Sequence, residues 1–334
     1  MAARLTVIPD AVTLDVVTTK RVPPIPVRAI CTLILSIAIG GQACAQGAAA
    51  AGPALPWWAW PLLLFIVSFL IGLVAVLGGV GGGVMFVPIV SGFFPFHLDF
   101  VRGTGLMLAL CSSLAAGPSL LKRNLASLRL AMPVALIASG CSAAGALVGL
   151  ALPTAVVQVS LGVCIICICI LMVAAKRSEH PDVPESDALS KVLGIYGVYH
   201  EQSTCAEVNW KIHRTPLGLA LFVLIGFMGG MFGMGAGWAN VPVLNLVMGA
   251  PLKVSVASSS FLLSVTGAAG TWVYLHRGCV IPMLVVPSAV GIMLGSFVSA
   301  RILARARVTF VRWVVIGILL LAGVKSLLKG MGIG

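Results

Sequence analysis

The sequence predicts an all-α protein that crosses a lipid bilayer many times, and its composition is the first observation behind this prediction. Of the 334 residues, 60% are hydrophobic and only 9% are charged, whereas about 25% of a soluble domain is charged. The second observation is that the two hydrophobic blocks, 57–175 and 216–334, contain only one of the nine acidic residues, Asp99. The third is that glycines and prolines of the first block recur at matching positions in the second block. We therefore interpret the net charge of +12 as membrane topology and expect no nucleic-acid partner.

Ten apolar segments lie within the two blocks. Eight are long enough to be spanning helices, whereas 81–96 and 236–250 are shorter and begin in glycine-rich sequence. The predicted long segments are 58–77, 103–121, 130–151, 154–175, 216–233, 254–274, 279–300 and 313–328.

The N-terminal region, 1–56, allows two interpretations. Residues 29–39 form a short apolar core that follows two arginines and precedes an Ala-Cys-Ala sequence. This pattern is typical of a cleaved signal peptide. A first membrane segment is the alternative, although a spanning helix needs about 20 apolar residues. In both cases we expect the chain near Pro56 to lie on the outer side.

A single offset aligns the two hydrophobic blocks. Pro88 and Pro242 lie 154 positions apart, and the same offset pairs Arg123 with Arg277. It also pairs Gly72 with Gly226, Gly81 with Gly235, Gly83 with Gly237, Leu98 with Leu252, and Pro133 with Pro287. One ungapped offset across so many glycines and prolines indicates two homologous halves of about five helical segments each.

The lysines and arginines indicate the relative orientation of the halves. Five crossings per half place 17 of these residues inside and 4 outside, which together are the 21 of the chain. If the two short segments instead entered and left on one side, the split would be 10 to 11. The positive-inside rule favours five crossings. Because five is odd, we predict inverted repeats in the cell inner membrane, with the linker in the cytoplasm.

The predicted domains are the tail 1–56, the membrane repeats 57–175 and 216–334, and the linker 176–215. Within the linker, two alternating stretches predict a small hairpin. The linker also contains His200, Cys205 and His213, but their spacing fits no familiar metal site. We expect neither a metal nor any other cofactor.

Two glycine-rich runs, 78–83 and 233–237, begin the short apolar segments. A phosphate-binding loop would need a lysine or a strand–turn–helix context, which neither run has. Glycines followed by Pro88 or Pro242 instead indicate a broken membrane helix whose N-terminus points free N–H groups at a ligand. Close helix packing by small residues is the alternative. Two such breaks, one from each inverted half, predict an anion site near the membrane midplane.

Polar residues follow each break. Hydroxyl and amide donors suit a small oxyanion that must also be released, although a membrane serine often bonds its own helix backbone. The candidates of this kind are Thr104, Ser258, Ser259, Ser260, Asn240 and Asn245.

Four charged residues are candidates for the pathway mouth or for energy coupling. Asp99 and Arg102 are three residues apart and would pair on a helix, and an ion pair in a surface loop is the alternative. Arg123 and Arg277 occupy one repeat position. They are predicted either to draw anions toward each mouth or to snorkel at helix ends.

These motifs resemble those of the TauE/SafE sulfite exporter family. The resemblance rests on G-x-G-G-G-x-x-x-V-P-I at 79–89, G-x-G-x-G-W-A-N-V-P-V at 233–243 and P-L-K-V-S-V-A-S-S-S at 251–260, and it extends over roughly 57–330. It implies an inverted-repeat permease for small anions, typically sulfite or organosulfonates. By motif position it places these residues at or near the pathway: Gly81, Gly83, Pro88, Thr104, Gly235, Gly237, Pro242 and Ser258. Ala236 departs from the first copy, which has Gly82.

The predicted function is a permease that moves small anions by alternating access between the two repeats. An anion channel and a non-transporting scaffold or assembly factor are the alternatives, and we do not expect an enzyme. The expected partners are a small anion and the lipid bilayer. A monomer and a homo-oligomer both agree with the sequence. The predicted substrate-binding residues are Gly81, Gly82, Gly83, Pro88, Thr104, Gly235, Gly237, Trp238, Asn240, Pro242, Asn245, Ser258, Ser259 and Ser260.

Overall fold

The structure, a computed structural model, describes residues 58–78, 81–94, 96–121, 127–174, 187, 190, 195–201, 206–302 and 308–332. The predictions for 1–56 and for Arg123 lie outside these residues. The first half contains α1 (Ala59–Gly78), α2 (Gly82–Phe93), α3 (Leu98–Leu121), α4 (Leu128–Ala151) and α5 (Thr154–Ala174). The linker contains β1 (Tyr196–Glu201) and β2 (Ala206–Lys211). The second half contains α6 (Thr215–Phe232), α7 (Gly237–Pro242), α8 (Leu252–His276), α9 (Pro282–Ile302) and α10 (Val308–Gly330).

Six of the described helices are long and apolar enough to cross a bilayer, namely α3, α4, α5, α6, α8 and α9. Shorter apolar helices cover Ala59–Ala75 and Gly82–Phe93. Large apolar side chains lie exposed on the outside of the bundle, among them Leu136 and Trp272. Such a surface suits lipid and would be a liability in water. The predicted fold class, an all-α polytopic membrane protein, is confirmed.

The helix boundaries repeat the offset seen in the sequence. In the first half, α3, α4 and α5 begin at 98, 128 and 154, and in the second half α8, α9 and α10 begin at 252, 282 and 308. Each later start is 154 positions beyond its counterpart. A π-helical turn, Val243–Val247, extends the short helix α7, so that the counterpart of α2 also has a similar length. The second half thus repeats the element order and spacing of the first.

Each glycine-led helix runs back along the helix before it. Trp60 at the start of α1 contacts Phe94 at the end of α2, with ring centroids 6.4 Å apart. In the second half, the backbone N–H of His213 donates to the carbonyl of Met248 at 3.0 Å. This bond joins the start of α6 to the end of the π-helical turn. Both short segments therefore return the chain to the end at which the preceding helix began.

The first helix of each half packs against the fourth helix of the other half. Between α9 and α1, the Ser299 hydroxyl donates to the carbonyl of Leu73 at 2.7 Å. Between α6 and α4, a Cβ atom placed on Gly226 would lie 2.5 Å from the carbonyl oxygen of Ala138. Glycine lets the two backbones approach closely, which is how membrane helices gain packing energy. The two halves are therefore interlocked.

Leucine at Gly226 is expected to destabilise the bundle, because no space exists between α6 and the backbone of α4. Overpacking of this kind costs about 1–3 kcal/mol. Gly140 on α4 is the matched control, since a Cβ atom there would meet nothing within 4 Å. We expect Gly226→Leu to lower the midpoint of thermal unfolding in detergent and Gly140→Leu to leave it unchanged. Equal midpoints for the two variants would contradict this packing.

Helices that are related by the repeat run antiparallel where they pack. Between α3 and α8, a Cβ atom on Gly270 would lie 2.9 Å from Leu106, and one on Gly267 would lie 3.6 Å from Leu110. The higher-numbered residue of α3 therefore lies opposite the lower-numbered residue of α8, so the two helices are antiparallel. Hydrogen bonds between α5 and α10 follow the same order.

The linker hairpin packs against helices of both halves. Its strands pair antiparallel in the described residues, from Tyr196 opposite Lys211 to Glu201 opposite Ala206. Trp210, next to the hairpin's end, is buried in a cluster formed by α4, α6, α7 and α8. The segment before the hairpin caps α6, because both carboxylate oxygens of Asp187 accept hydrogen bonds from Thr215 at 2.9 Å. In the part of the chain that the structure describes, no group of three His, Cys, Asp or Glu residues could hold a metal ion.

Candidate functional site

Each predicted helix break contains a backbone position that requires glycine. Gly81, directly before α2, has φ 81°, and Gly235, between α6 and α7, has φ 71°. L-residues with a side chain rarely adopt such angles. The chain reverses direction at both points, so the predicted breaks at the glycine-rich motifs are present.

The two breaks lie together where α3 and α8 cross. A Cβ atom on Gly81 would lie 3.4 Å from Cδ2 of Leu263, and one on Gly235 would lie 2.9 Å from Cδ1 of the same leucine. The atom on Gly235 would also lie 3.1 Å from Cβ of Ala109. Ala109 and Leu263 are themselves repeat counterparts, 154 positions apart. Both breaks therefore meet at the side chain of Leu263.

Close packing, the alternative explanation of the glycine runs, accounts for other glycines of the motif. A Cβ atom on Gly83 would lie 2.6 Å from the carbonyl oxygen of Gly105 and 2.9 Å from that of Met234. One on Gly105 would lie 2.5 Å from the carbonyl oxygen of Gly233. Because these neighbours are backbone atoms, no side chain fits at either position. Gly83 therefore brings α2 against α3 and the second break, and Gly105, which is not among the predicted site residues, brings α3 against the same break.

Three polar groups close to the breaks are buried and have no hydrogen-bond partner within the described residues. They are the Thr104 hydroxyl in α3 and, in α7, the Trp238 indole N–H and both amide atoms of Asn240. The Asn240 side chain is only 1% exposed. A buried polar group without a partner costs about 1–3 kcal/mol, and most buried polar groups in proteins are paired. These three groups are therefore candidate donors for a ligand close to the breaks.

The other polar candidates have structural partners. The Asn245 amide donates to the carbonyl of Ala250 at 2.9 Å. The Ser258 hydroxyl accepts a hydrogen bond from the backbone N–H of Ser127 at 3.2 Å, which ties α8 to the start of α4. Ser260 donates to the backbone of its own helix at 3.3 Å.

The remaining substrate-site candidates are buried parts of the same helices. Gly82 begins α2 and packs against the side chain of Ile292, and Gly237 begins α7. Pro88 and Pro242 lie inside α2 and α7, and Ser259 lies in α8.

Arg102 is fully buried, at 1% exposure, although it carries a charge. It pairs with Asp99 within the first turns of α3, as the three-residue spacing predicts. Its Nη1 donates to the carbonyls of Gly149 and Met231 at 3.1 and 3.0 Å, and its Nη2 donates to Gly149 at 3.1 Å. The ion pair therefore lies at the junction of α3, α4 and α6, and the alternative of a surface-loop pair is wrong. Arg277 is exposed at the end of α8.

A bundle of apolar helices, reversed at two glycine breaks that meet inside it, defines a multi-pass helical membrane protein. Residues 64–326 match the family model described as "Sulfite exporter TauE/SafE". The chain belongs to this family, as its motifs predicted, and it is a membrane transporter. It is 25% identical over 283 residues to the probable membrane transporter protein YunE of Bacillus subtilis (strain 168), covering 81% of this chain and 98% of that protein. No solved structure matches the chain. Membership in a transporter family argues against an enzyme.

Proposed function

We propose that the protein moves small oxygen-rich anions, such as sulfite or organosulfonates, across the cell inner membrane by alternating access. The observation that carries this proposal is the meeting of two helix breaks, one from each half, beside buried donors without partners. In membrane carriers, interrupted helices commonly form the substrate site near the bilayer midplane, at the interface between repeats.

The proposed site binds anions through neutral donors. The Thr104 hydroxyl, the Asn240 amide and the Trp238 indole N–H can each donate a hydrogen bond to an oxyanion. The start of α2 adds the positive end of a helix dipole. A carrier must release its substrate on every cycle, so donors without a fixed charge suit it better than a buried salt bridge.

We also propose that the two halves are inverted. The antiparallel packing of α3 on α8 and of α5 on α10 supports this proposal, because it is the packing that inverted copies of one bundle would have. The distribution of lysine and arginine supports it independently and would place the linker hairpin in the cytoplasm. Alternating access would then exchange the conformations of the two halves around the site.

Counterflow in proteoliposomes tests the proposed function. Vesicles containing the purified protein are loaded with unlabelled sulfite, and entry of labelled sulfite is followed, with methanesulfonate in a parallel series. A carrier should show saturable entry that the internal anion accelerates. A channel would show entry without this acceleration, and a scaffold would show no entry above that of protein-free vesicles. Either of these results would overturn the proposal.

A further inference from the structure

Arg102 ties together helices from both halves of the protein. Its guanidinium bonds the carbonyls of Gly149 at the end of α4 and Met231 at the end of α6, while the side chain belongs to α3. It also lies 5.8 Å from the ring centroid of Tyr274 in α8. Four helices therefore meet at one buried cation, two from each half.

The hydrogen bonds at this point satisfy the last carbonyl groups of α6, directly before the second break. The last carbonyls of a helix have no partner within it and carry the negative end of its dipole. The Tyr274 hydroxyl shares its one proton between the carbonyls of Gly230 and Met231, at 3.1 and 3.3 Å, and Arg102 donates to Met231 as well. The backbone of Arg102 also packs directly on Gly233. The position of the second break thus depends on Arg102 and Tyr274.

The repeat does not reproduce this arrangement in the other half. The positions that correspond to Arg102 and Tyr274 hold Val256 and Leu120, which cannot donate a hydrogen bond from a side chain. The position that corresponds to Asp99 holds Lys253. A carrier built from inverted halves opens alternately at two related ends, so a buried arginine that the repeat does not reproduce makes the two ends unequal.

We propose that Arg102 is a positioning residue that closes one end of the transport pathway, and that this end opens only when its bonds to the ends of α4 and α6 break. Asp99 holds the guanidinium in place, and Tyr274 shares the α6 carbonyls. The inference rests on the proposed transport function. By the lysine and arginine distribution, the closed end is the outer one.

The first test is amide hydrogen exchange across residues 229–235 in the purified protein, which needs no substrate. Arg102→Gln removes the charge and the ion pair, and Tyr274→Phe removes one hydroxyl without changing charge. We expect exchange in this segment to rise at least about tenfold in the first variant and less in the second, with the other helices unchanged. Arg277→Gln, at an exposed arginine of the same end, is the control and should match the wild type. Unchanged exchange at 229–235 in both Arg102→Gln and Tyr274→Phe would overturn the proposal.

The second test separates closure from a merely structural role. Loss of the hydrogen bonds at the end of α6 favours the state that is open at this end. The apparent affinity for sulfite on each side of the membrane follows the population of the state that is open to that side. The half-saturating concentration of sulfite should therefore fall on the Arg102 side of the membrane and rise on the opposite side in Tyr274→Phe. A rise on both sides would overturn the proposal. If sulfite counterflow fails in the wild type while hydrogen exchange still rises at 229–235 in the variants, the proposed transport of anions is wrong. In that case the role of the Arg102 hydrogen bonds in holding the ends of α4 and α6 is supported.

Discussion

Replacing Asn240 by leucine is expected to reduce sulfite uptake at least about tenfold while raising thermal stability. The Asn240 amide is buried and has no partner within the described residues, so its desolvation opposes folding. Leucine has a similar branched shape and removes that cost. A hydrogen bond to a charged ligand contributes about 1.5–3 kcal/mol, and about 1.4 kcal/mol corresponds to a tenfold change in rate or affinity. Opposite changes in uptake and stability are typical of a functional residue.

Asn245→Leu is the matched control for this prediction. Its amide already bonds the carbonyl of Ala250, so leucine there should lower the midpoint of thermal unfolding. Uptake in proteoliposomes and unfolding in detergent are measured for both variants. If Asn240→Leu retained full uptake and became less stable, Asn240 would be a structural residue and the proposed donor set would fail.

The second large effect is expected at Gly235. Leucine there must adopt a left-handed backbone angle, which costs about 1–2 kcal/mol, and its Cβ atom would lie 2.9 Å from Leu263. Both penalties act where the two breaks meet. We expect Gly235→Leu to reduce uptake to the level of protein-free vesicles while insertion into the membrane continues.

A double substitution divides the effect at Gly235 into its two causes. Gly235→Ala with Leu263→Ala removes most of the steric contact but keeps the backbone strain. We therefore expect partial recovery of uptake relative to Gly235→Ala alone. Gly140→Leu serves as the reference for a glycine that faces open space. Full uptake in Gly235→Leu would show that the second break does not shape the pathway.

The helices could be predicted from the sequence because each is an apolar run separated from the next by glycine, proline or charge. The least accurate predictions were the start of α10, which begins at Val308 instead of 313, and the start of α3, which begins at Leu98 instead of 103. Asp99 and Arg102 interrupt the apolar run, and only the folded bundle supplies the carbonyls that satisfy a buried arginine. The repeat made the meeting of the breaks predictable, since corresponding glycines of two related halves occupy corresponding places.

The site could be predicted only in part, because similar residues have different partners. Asn240 and Asn245 both follow the second break, yet only Asn245 reaches the carbonyl of Ala250. That contact depends on the chain reversal after the π-helical turn, for which the sequence contains no specific signal. Ser258 likewise bonds Ser127 of the other half, and such a contact cannot be inferred from the order of residues.

Anomalous diffraction from the protein crystallised with selenite, a heavier analogue of sulfite, tests the central claim most directly. Selenium provides an unambiguous peak at the wavelength of its absorption edge. We predict a peak between Gly81 and Gly235, within hydrogen-bonding distance of the Thr104 hydroxyl or the Asn240 amide. The absence of a peak there at a selenite concentration that competes with sulfite uptake would contradict an anion site between the two breaks.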